Sequence, residues 1–393
     1  MTELIKFLVV SDIHAFVDKK KNDGSLLDYS GDSRTSTNPL KDLIKVASAQ
    51  SIKVDALVCA GDICNKADPA GLAAAWSDLH CLASTLGNAT LLATNGNHDL
   101  DSRHLTEDVD PDPKGALLAL EPPFPFEDIA LSNQYWARNF VFVPQKEDVL
   151  TVILNTSAYH GGQQNEIDHG RVSKKTIQSL CESLKRERKY RAYVLICHHH
   201  PIPQDGWGGR TDGEFILNGT ELLNSIVSAT GSSWLVVHGH RHQPKLVHGT
   251  SVNNDVPFVL GVGSLGARIT GVSNQFHIVT LYESNESTFA SISGVVETWS
   301  WSDVDGWEQE SRSKGLPTEC GFGYLGRVPQ LAMLIRDLLN NHKQPFMEWT
   351  QVAQHHPEVK FLLPETLKSF ERELDTFGLK LMQHRGRIYQ VGA

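Results

Sequence analysis

The chain has 393 residues, 40% of them apolar and 21% charged, with a formal net charge of −10. That length allows a large catalytic domain beside a smaller one, and no apolar run nears the roughly 18 residues of a membrane-spanning helix, so none is expected. An acidic body does not draw in phosphate by itself, so an anionic substrate needs a local source of positive charge such as metal.

Residues 4–10 form a short apolar run with no charged leader and no small-residue cleavage site after it. It predicts a first strand rather than a signal peptide. Asp12 and His14 follow, two apart, at its carboxyl end. The stretch 17–38 is polar and glycine-containing and predicts a long surface loop, with a helix over about 39–50. A second strand over 54–60 ends in Gly61-Asp62, and Pro69 opens a helix reaching about 86. A third strand over 90–94 runs into Asn95-Gly96-Asn97-His98-Asp99. Residues 100–128 carry Asp101, Glu107, Asp108, Asp110, Asp112 and five prolines, the composition of an insertion or lid.

Strands over 139–143 and 149–154 are expected to pair, and a helix follows over 173–188. A buried strand over 192–197 ends in His198-His199-His200-Pro201. After a helix near 219–229, the strand at 234–237 ends in His238-Gly239-His240-Arg241-His242. Strand-like runs then dominate, near 245–248, 256–260, 276–282 and 287–293. Helices alternate with strands in the first half, so the fold class is α/β, a sandwich with mixed sheets. In such sheets ligands gather outside the carboxyl ends of the strands, and five polar clusters lie there, which argues for one shared site. Gly261-Val262-Gly263-Ser264-Leu265-Gly266 fits a dinucleotide fingerprint, but no helical pattern follows it. It is expected to be a close packing turn near the site. His238 and His200 are expected to be structural, and His160 and His169 to be loop histidines. Six cysteines without a C-x-x-C pair fit reduced thiols and a cytoplasmic location.

In order, Asp12-Ile13-His14, Gly61-Asp62, Gly96-Asn97-His98-Asp99, the His198–His200 run and Gly239-His240-Arg241-His242 resemble the signature of the calcineurin-like metallophosphoesterase superfamily. The resemblance covers roughly residues 4–295 and implies a four-layer αββα sandwich of two mixed sheets. It also implies two divalent or trivalent ions, with Mn, Fe or Zn suited to mixed carboxylate, amide and imidazole donors. Asp62 would bridge them. One ion would take Asp12, His14, Asp62 and His242; the other Asp62, Asn97, His240 and one histidine of the triplet. His199 is selected because it stands two residues before Pro201, with His198 and His200 as the alternatives. The implied reaction is attack on phosphorus by a metal-bridging hydroxide, with His98 protonating the leaving group and Asp99 orienting it. Asn65, Arg241 and His200 are candidate substrate contacts; the usual Asp at position 65 is Asn here.

Gly61-Asp62-Ile63-Cys64-Asn65 lacks the D-R-G continuation of the protein phosphatases. The strand end at 154–157, the helix at 173–188 and the His-His-Pro arrangement are more similar to the cyclic-nucleotide phosphodiesterase-like branch. That makes a nucleotide-type phosphodiester the expected substrate. The alternatives are a nuclease of the same superfamily and a nucleotide-sensing regulatory protein with slow turnover. Residues 1–295 are expected to be the catalytic domain and 296–325, with Trp299, Trp301 and Trp307, to be strands or an ordered connector. Residues 326–393 carry nine Lys/Arg against seven Asp/Glu. Helices over 330–341, 346–355 and 364–377, then a hairpin around 383–386, are similar to a winged helix. Through it nucleic acid, or a protein partner, would be held.

Overall fold

The computed structural model describes residues 1–393 apart from 32–37, 104–111, 147, 163–165, 204–212, 251–254, 285 and 310–314. Its first sheet is built from β1 (Thr2–Val10), which leads through α1 (Pro39–Ala49) to β2 (Ala56–Cys59), and through α2 (Pro69–Thr85) to β3 (Thr90–Ala93). Both helices start where the chemistry asks. Asn38 and Asp68 side chains accept from the first free backbone N–H groups, and Pro39 and Pro69 occupy the first turn. A covering segment with α3 (Gly115–Leu118) and α4 (Ile129–Arg138) leads to the second sheet. This begins with β4 (Phe140–Gln145) and β5 (Val149–Leu154), continues through α5 (Lys174–Leu184) to β6 (Ala192–Ile196), and through α6 (Gly219–Thr230) to β7 (Trp234–His238). β8 (Lys245–His248) and β9 (Pro257–Gly261) complete it, in the order β4-β5-β6-β7-β9-β8.

The chain then returns to the first sheet with β10 (Gln275–Glu283), β11 (Phe289–Ser302), β12 (Gly306–Glu308) and β13 (Glu319–Tyr324). Its order is β12-β11-β10-β1-β2-β3, with β13 also paired to β11. β1, β2 and β3 are parallel, as are β5, β6, β7 and β9, whereas β4, β8 and β10 run antiparallel to their neighbours. Both sheets are therefore mixed, as expected. Side-chain alternation fixes the layers. Along β6 and β7, Val194, Ile196, Leu235 and Val237 join the core shared with the first sheet. Tyr193, Leu195, Trp234 and Val236 join a second core under α5 and α6. Covered on both faces, these strands read as unbroken apolar runs.

The described residues of 296–325 include strands β11, β12 and β13. β11 stays paired with β10 through Ser300, and Val296 faces Cys320 of β13. Trp299, Trp301 and Trp307 are buried there, and Trp307 Nε1 donates to Pro39 O at 2.8 Å. Beyond it lie α7 (Val328–His342), β14 (Phe346–Glu348), α8 (Trp349–His355), α9 (Pro364–Thr376), β15 (Lys380–His384) and β16 (Arg387–Gly392). Helices and a three-stranded sheet of order β14-β16-β15 give the winged-helix arrangement. The helix expected from 346 starts three residues later, because Met347 is buried in a strand paired with Val391. This domain is docked on β13: Gly321 N donates to Leu362 O at 3.1 Å, and Phe361 meets Tyr282 and Phe289 edge-on. In the covering segment, Glu107, Asp108 and Asp110 lie outside the described residues.

Candidate metal centre

Five strand ends deliver polar side chains to one place. Asp12 and His14 follow β1, Asp62 follows β2, Asn97 and His98 follow β3, His198 and His199 follow β6, and His240 and His242 follow β7. Asp12, His14, Asp62, His240 and His242 all hold left-handed backbone, with φ of 53°, 53°, 53°, 72° and 56°. Such conformations cost about 1–3 kcal/mol each in residues with a Cβ and concentrate at functional sites. Gly96 and Gly239 have no room for a Cβ. One would stand against Asp62 Oδ1, the other against Ser11 Oγ and Asp12 Oδ2. The glycine-rich turn after β9 packs as expected: Ser264 Oγ donates to Asp12 O at 2.6 Å, and Leu265 N to Ser11 O at 2.9 Å.

The side chains form two groups that share Asp62. In the first, His14 Nε2 lies 3.0 Å from His242 Nε2 and 3.7 Å from Asp62 Oδ2, and His242 Nε2 lies 3.3 Å from Asp12 Oδ1. In the second, His198 Nε2 lies 3.2 Å from both Asp62 Oδ2 and Asn97 Oδ1. His199 and His240 complete it, their ring centroids 4.4 Å apart. The outer atoms of these groups are held by the protein. His198 Nδ1 donates to Ala60 O, His199 Nδ1 meets Thr156 Oγ1 at 2.9 Å, and Asn97 Nδ2 donates to Ile167 O. Each tether leaves the other donor atom turned inward.

Burial pushes His14, His199 and His240 below the usual imidazole range, so these rings are neutral and their lone pairs available. Burial alone would raise Asp62, but the charge of His198 brings it well below the carboxylate range. Burial would lower His198, yet Asp62 lifts it to about 9. Its proton thus lies between Asp62 and Asn97, where a cation would replace it. Among the described residues, His199 Nε2 and His240 Nε2 are buried without a hydrogen-bond partner, Glu214 Oε2 lying 3.6 Å from the latter. Orphaned ring nitrogens, two carboxylates and an amide oxygen fit transition-metal ions.

A family model described as calcineurin-like phosphoesterase matches residues 5–244. The chain belongs to that family. A second model, wHTH-Calcineurin_assc, matches residues 320–376, from β13 to α9. Among solved structures, the calcineurin-like chain is similar to purple acid phosphatase PPD1 from yellow lupin (Lupinus luteus) seeds. The identity is 12% and the TM-score 0.47, over 81% of this chain and 53% of that one. It is also similar to GAP50, the anchor in the inner membrane complex of Plasmodium, at 11% identity and TM-score 0.41, over 79% and 89% of the two chains. A third is the 5′-nucleotidase precursor from Thermus thermophilus, at 11% identity and TM-score 0.37, over 82% and 54%. No curated protein matches the chain. As a calcineurin-like phosphoesterase it is a metal-dependent phosphoric ester hydrolase.

The remaining members of this phosphoesterase site are placed less as the sequence suggests. His198 reaches the centre together with His199, where the sequence argument chose His199. The signal was present: His198 is the first polar residue after the apolar run. Asp99 is turned away from the role of orienting His98. Its oxygens accept from Cys64 N and Gly96 N, both at 2.8 Å, and close the turn. Burial, then the charge of Asp62, raises it to about 7. Asn65 meets His98 instead, its Oδ1 2.9 Å from Nδ1, so it supports the ring rather than a substrate. Arg241 is ion-paired to Glu214, and His200 is buried behind His240. His160, expected in a loop, lies with its ring 5.3 Å from His199.

Proposed function

We propose that this calcineurin-like phosphoesterase is a binuclear phosphodiesterase for nucleotide-type phosphodiesters. One observation carries the binuclear reading: Asp62 Oδ2 faces His14 Nε2 at 3.7 Å on one side and His198 Nε2 at 3.2 Å on the other. Asp12, His14, Asp62 and His242 would hold one ion, and Asp62, Asn97, His240 and His199 or His198 the other. Mn, Fe and Zn suit the donors. Two such ions would supply Lewis-acid polarisation of the phosphoryl group and a nucleophile at neutral pH.

The chain's own residues do the rest. Ile167 O, Ala60 O and Thr156 Oγ1 fix Asn97, His198 and His199. His98, with Nδ1 against Asn65, has Nε2 left to hold a proton for the leaving oxygen. Burial pushes this ring down to about 3, so it is neutral until an anionic ester beside it favours protonation. Losing such an acid costs about 10²–10⁴-fold in rate. The diester reading is supported by the missing D-R-G continuation and the His-His-Pro strand end. For a nuclease, α9 should be basic, but Glu365, Glu371, Glu373 and Asp375 outnumber Lys368 and Arg372 on it. We also place the protein in the cytoplasm, on its free cysteines, of which Cys59, Cys64, Cys197 and Cys320 are buried. Among the described residues no helix is long and apolar enough to cross a membrane.

The test is Mn-supported hydrolysis of 2′,3′- and 3′,5′-cyclic nucleotides, single- and double-stranded DNA, RNA and p-nitrophenyl esters. Turnover of cyclic nucleotides without polymers is expected. Polymer cleavage lost on removing residues 326–393 would make it a nuclease, and turnover of monoesters alone would overturn the diester reading.

A further inference from the structure

The loop 17–31 is tied to the turn after Asp62 at several points. Asp68 Oδ2 accepts from Val17 N at 2.9 Å and Asp18 N at 2.8 Å, and Lys21 Nζ donates to Ala67 O at 2.9 Å. Lys66 and Ala67 in that turn hold left-handed backbone, with φ of 49° and 52°. The two segments enclose the amide of Asn65, which is fully buried. Its Nδ2 donates to Asp23 Oδ1 at 2.5 Å and to Lys21 O at 2.8 Å. Its Oδ1 faces His98 Nδ1 at 2.9 Å. Lys66 Nζ lies 3.4 Å from Asp23 Oδ2 and anchors the far side.

We propose that Asp23 is a positioning residue for His98, acting through the Asn65 amide. An amide can sit either way round, and what it meets decides which. Asp23 and Lys21 O both accept, so Nδ2 must face them and Oδ1 must face His98. That orientation gives His98 Nδ1 an acceptor and puts its hydrogen there, which leaves Nε2 as the nitrogen open to a bound ester. Lys66 N also points at His98 Nδ1, at 3.3 Å, the longer of the two contacts. Without the Asp23 acceptor, Nδ2 keeps one of its two partners, Lys21 O, and the amide turns over more readily to present Nδ2 to the ring. A hydrogen on Nδ1 would then face another donor. The residue is exposed, with 42% of its side-chain surface accessible, and sits in a loop whose backbone is held by Asp68, so removing its carboxylate leaves the loop's other ties in place.

The inference rests on His98 as proton donor, and the test separates the two. Aryl esters of phenylphosphonic acid, from p-nitrophenyl to unsubstituted phenyl, grade the need for an acid. For Asp23→Ala, the ratio of p-nitrophenyl to phenyl kcat should rise about 10-fold or more, as loss of such an outer support does, with KM for both little changed. Asn65→Leu should raise the same ratio. Asp23→Asn, which keeps a carbonyl oxygen for Asn65 Nδ2, should recover most of the loss. Metal content and melting temperature confirm that each variant is folded and loaded. Equal losses on every ester would make Asp23 a loop support only, and no change in the ratio for either variant would also overturn the proposal. If His98→Ala leaves the ratio unchanged, the proton-donor reading itself fails. If His98→Ala raises it and Asp23→Ala does not, only the positioning role fails.

Discussion

Lowering the pH of the metal-stripped protein from 7 to 5 should cost several kcal/mol of folding stability, with a gross loss of about 6 kcal/mol from three histidines outside the proposed ligand set. Burial pushes His98 and His238 down to about 3 and His160 down to about 4. At pH 5 these rings are neutral in the folded chain, whereas an unfolded imidazole, with a pKa of about 6.5, is protonated. The unfolded state therefore binds more protons, and stability falls as pH falls. Each ring contributes about 2 kcal/mol by pH 5. His198 works the other way. Burial would lower it, but Asp62 raises it to about 9, so its stabilisation is fully present below about 6.5 and is lost as pH rises through 9. Between pH 7 and 5 it returns about 1 kcal/mol, and Asp99, which burial and then the charge of Asp62 raise to about 7, returns about 2 kcal/mol. His14, His199 and His240, pushed down by burial, add to the loss. A loss of several kcal/mol is a large fraction of the stability of a domain. Urea titrations in EDTA at the two pH values, followed by tryptophan fluorescence, measure it. His238→Gln should reduce the pH sensitivity by about 2 kcal/mol. Equal urea midpoints at pH 7 and 5 would refute the reasoning, because the buried rings would then titrate alike in both states.

Three perturbations test the framework of the site. Gly96→Ala puts a Cβ 2.6 Å from Asp62 N and against Asp62 Oδ1. It should displace that carboxylate, cost about 1–3 kcal/mol as overpacking does, and lower metal content by elemental analysis; full metal retention would show that the turn can yield. Asp62→Asn should lose metal, and two ions retained per chain would remove the bridging assignment. Deleting residues 326–393 uncovers Tyr282 and Phe289, against which Phe361 packs. The shortened protein should lose about 1–3 kcal/mol of stability while its surviving fraction hydrolyses bis-p-nitrophenyl phosphate. Loss of turnover by folded, metal-loaded truncated protein would show that the winged-helix domain contributes to the site.

What could be read from the sequence is what depends on neighbours along the chain. The runs before Asp62, His198 and His240 are apolar because both faces of their strands are covered, so the first polar residue marks the strand end. These clusters were legible for that reason. The choice between His198 and His199 was not, because a tight turn can aim two successive rings at one centre, and the structure gives them separate tethers, Ala60 O and Thr156 Oγ1. The left-handed backbone at Asp12, His14 and Asp62 was also hidden, since nothing in these residue types requires it. Residues 296–325 were ambiguous for a different reason. The three tryptophans alternate with small and acidic residues, and only pairing with β10 and β13 makes β11 a strand of 14 residues across the expected boundary.

The partner of His98 depended on contacts far apart in sequence. The G-N-H-D motif offers Asp99 next door, but the turn that places His98 consumes that carboxylate in bonds to Cys64 N and Gly96 N. The ring is therefore met by an amide 33 residues earlier, and the amide by a carboxylate 42 residues before that. Asn65, where the resemblance leads one to look for Asp, reads from sequence as a candidate substrate contact. In the structure a carboxylate is still connected to the histidine, one hydrogen bond further out, and it comes from a loop that composition alone marks as surface.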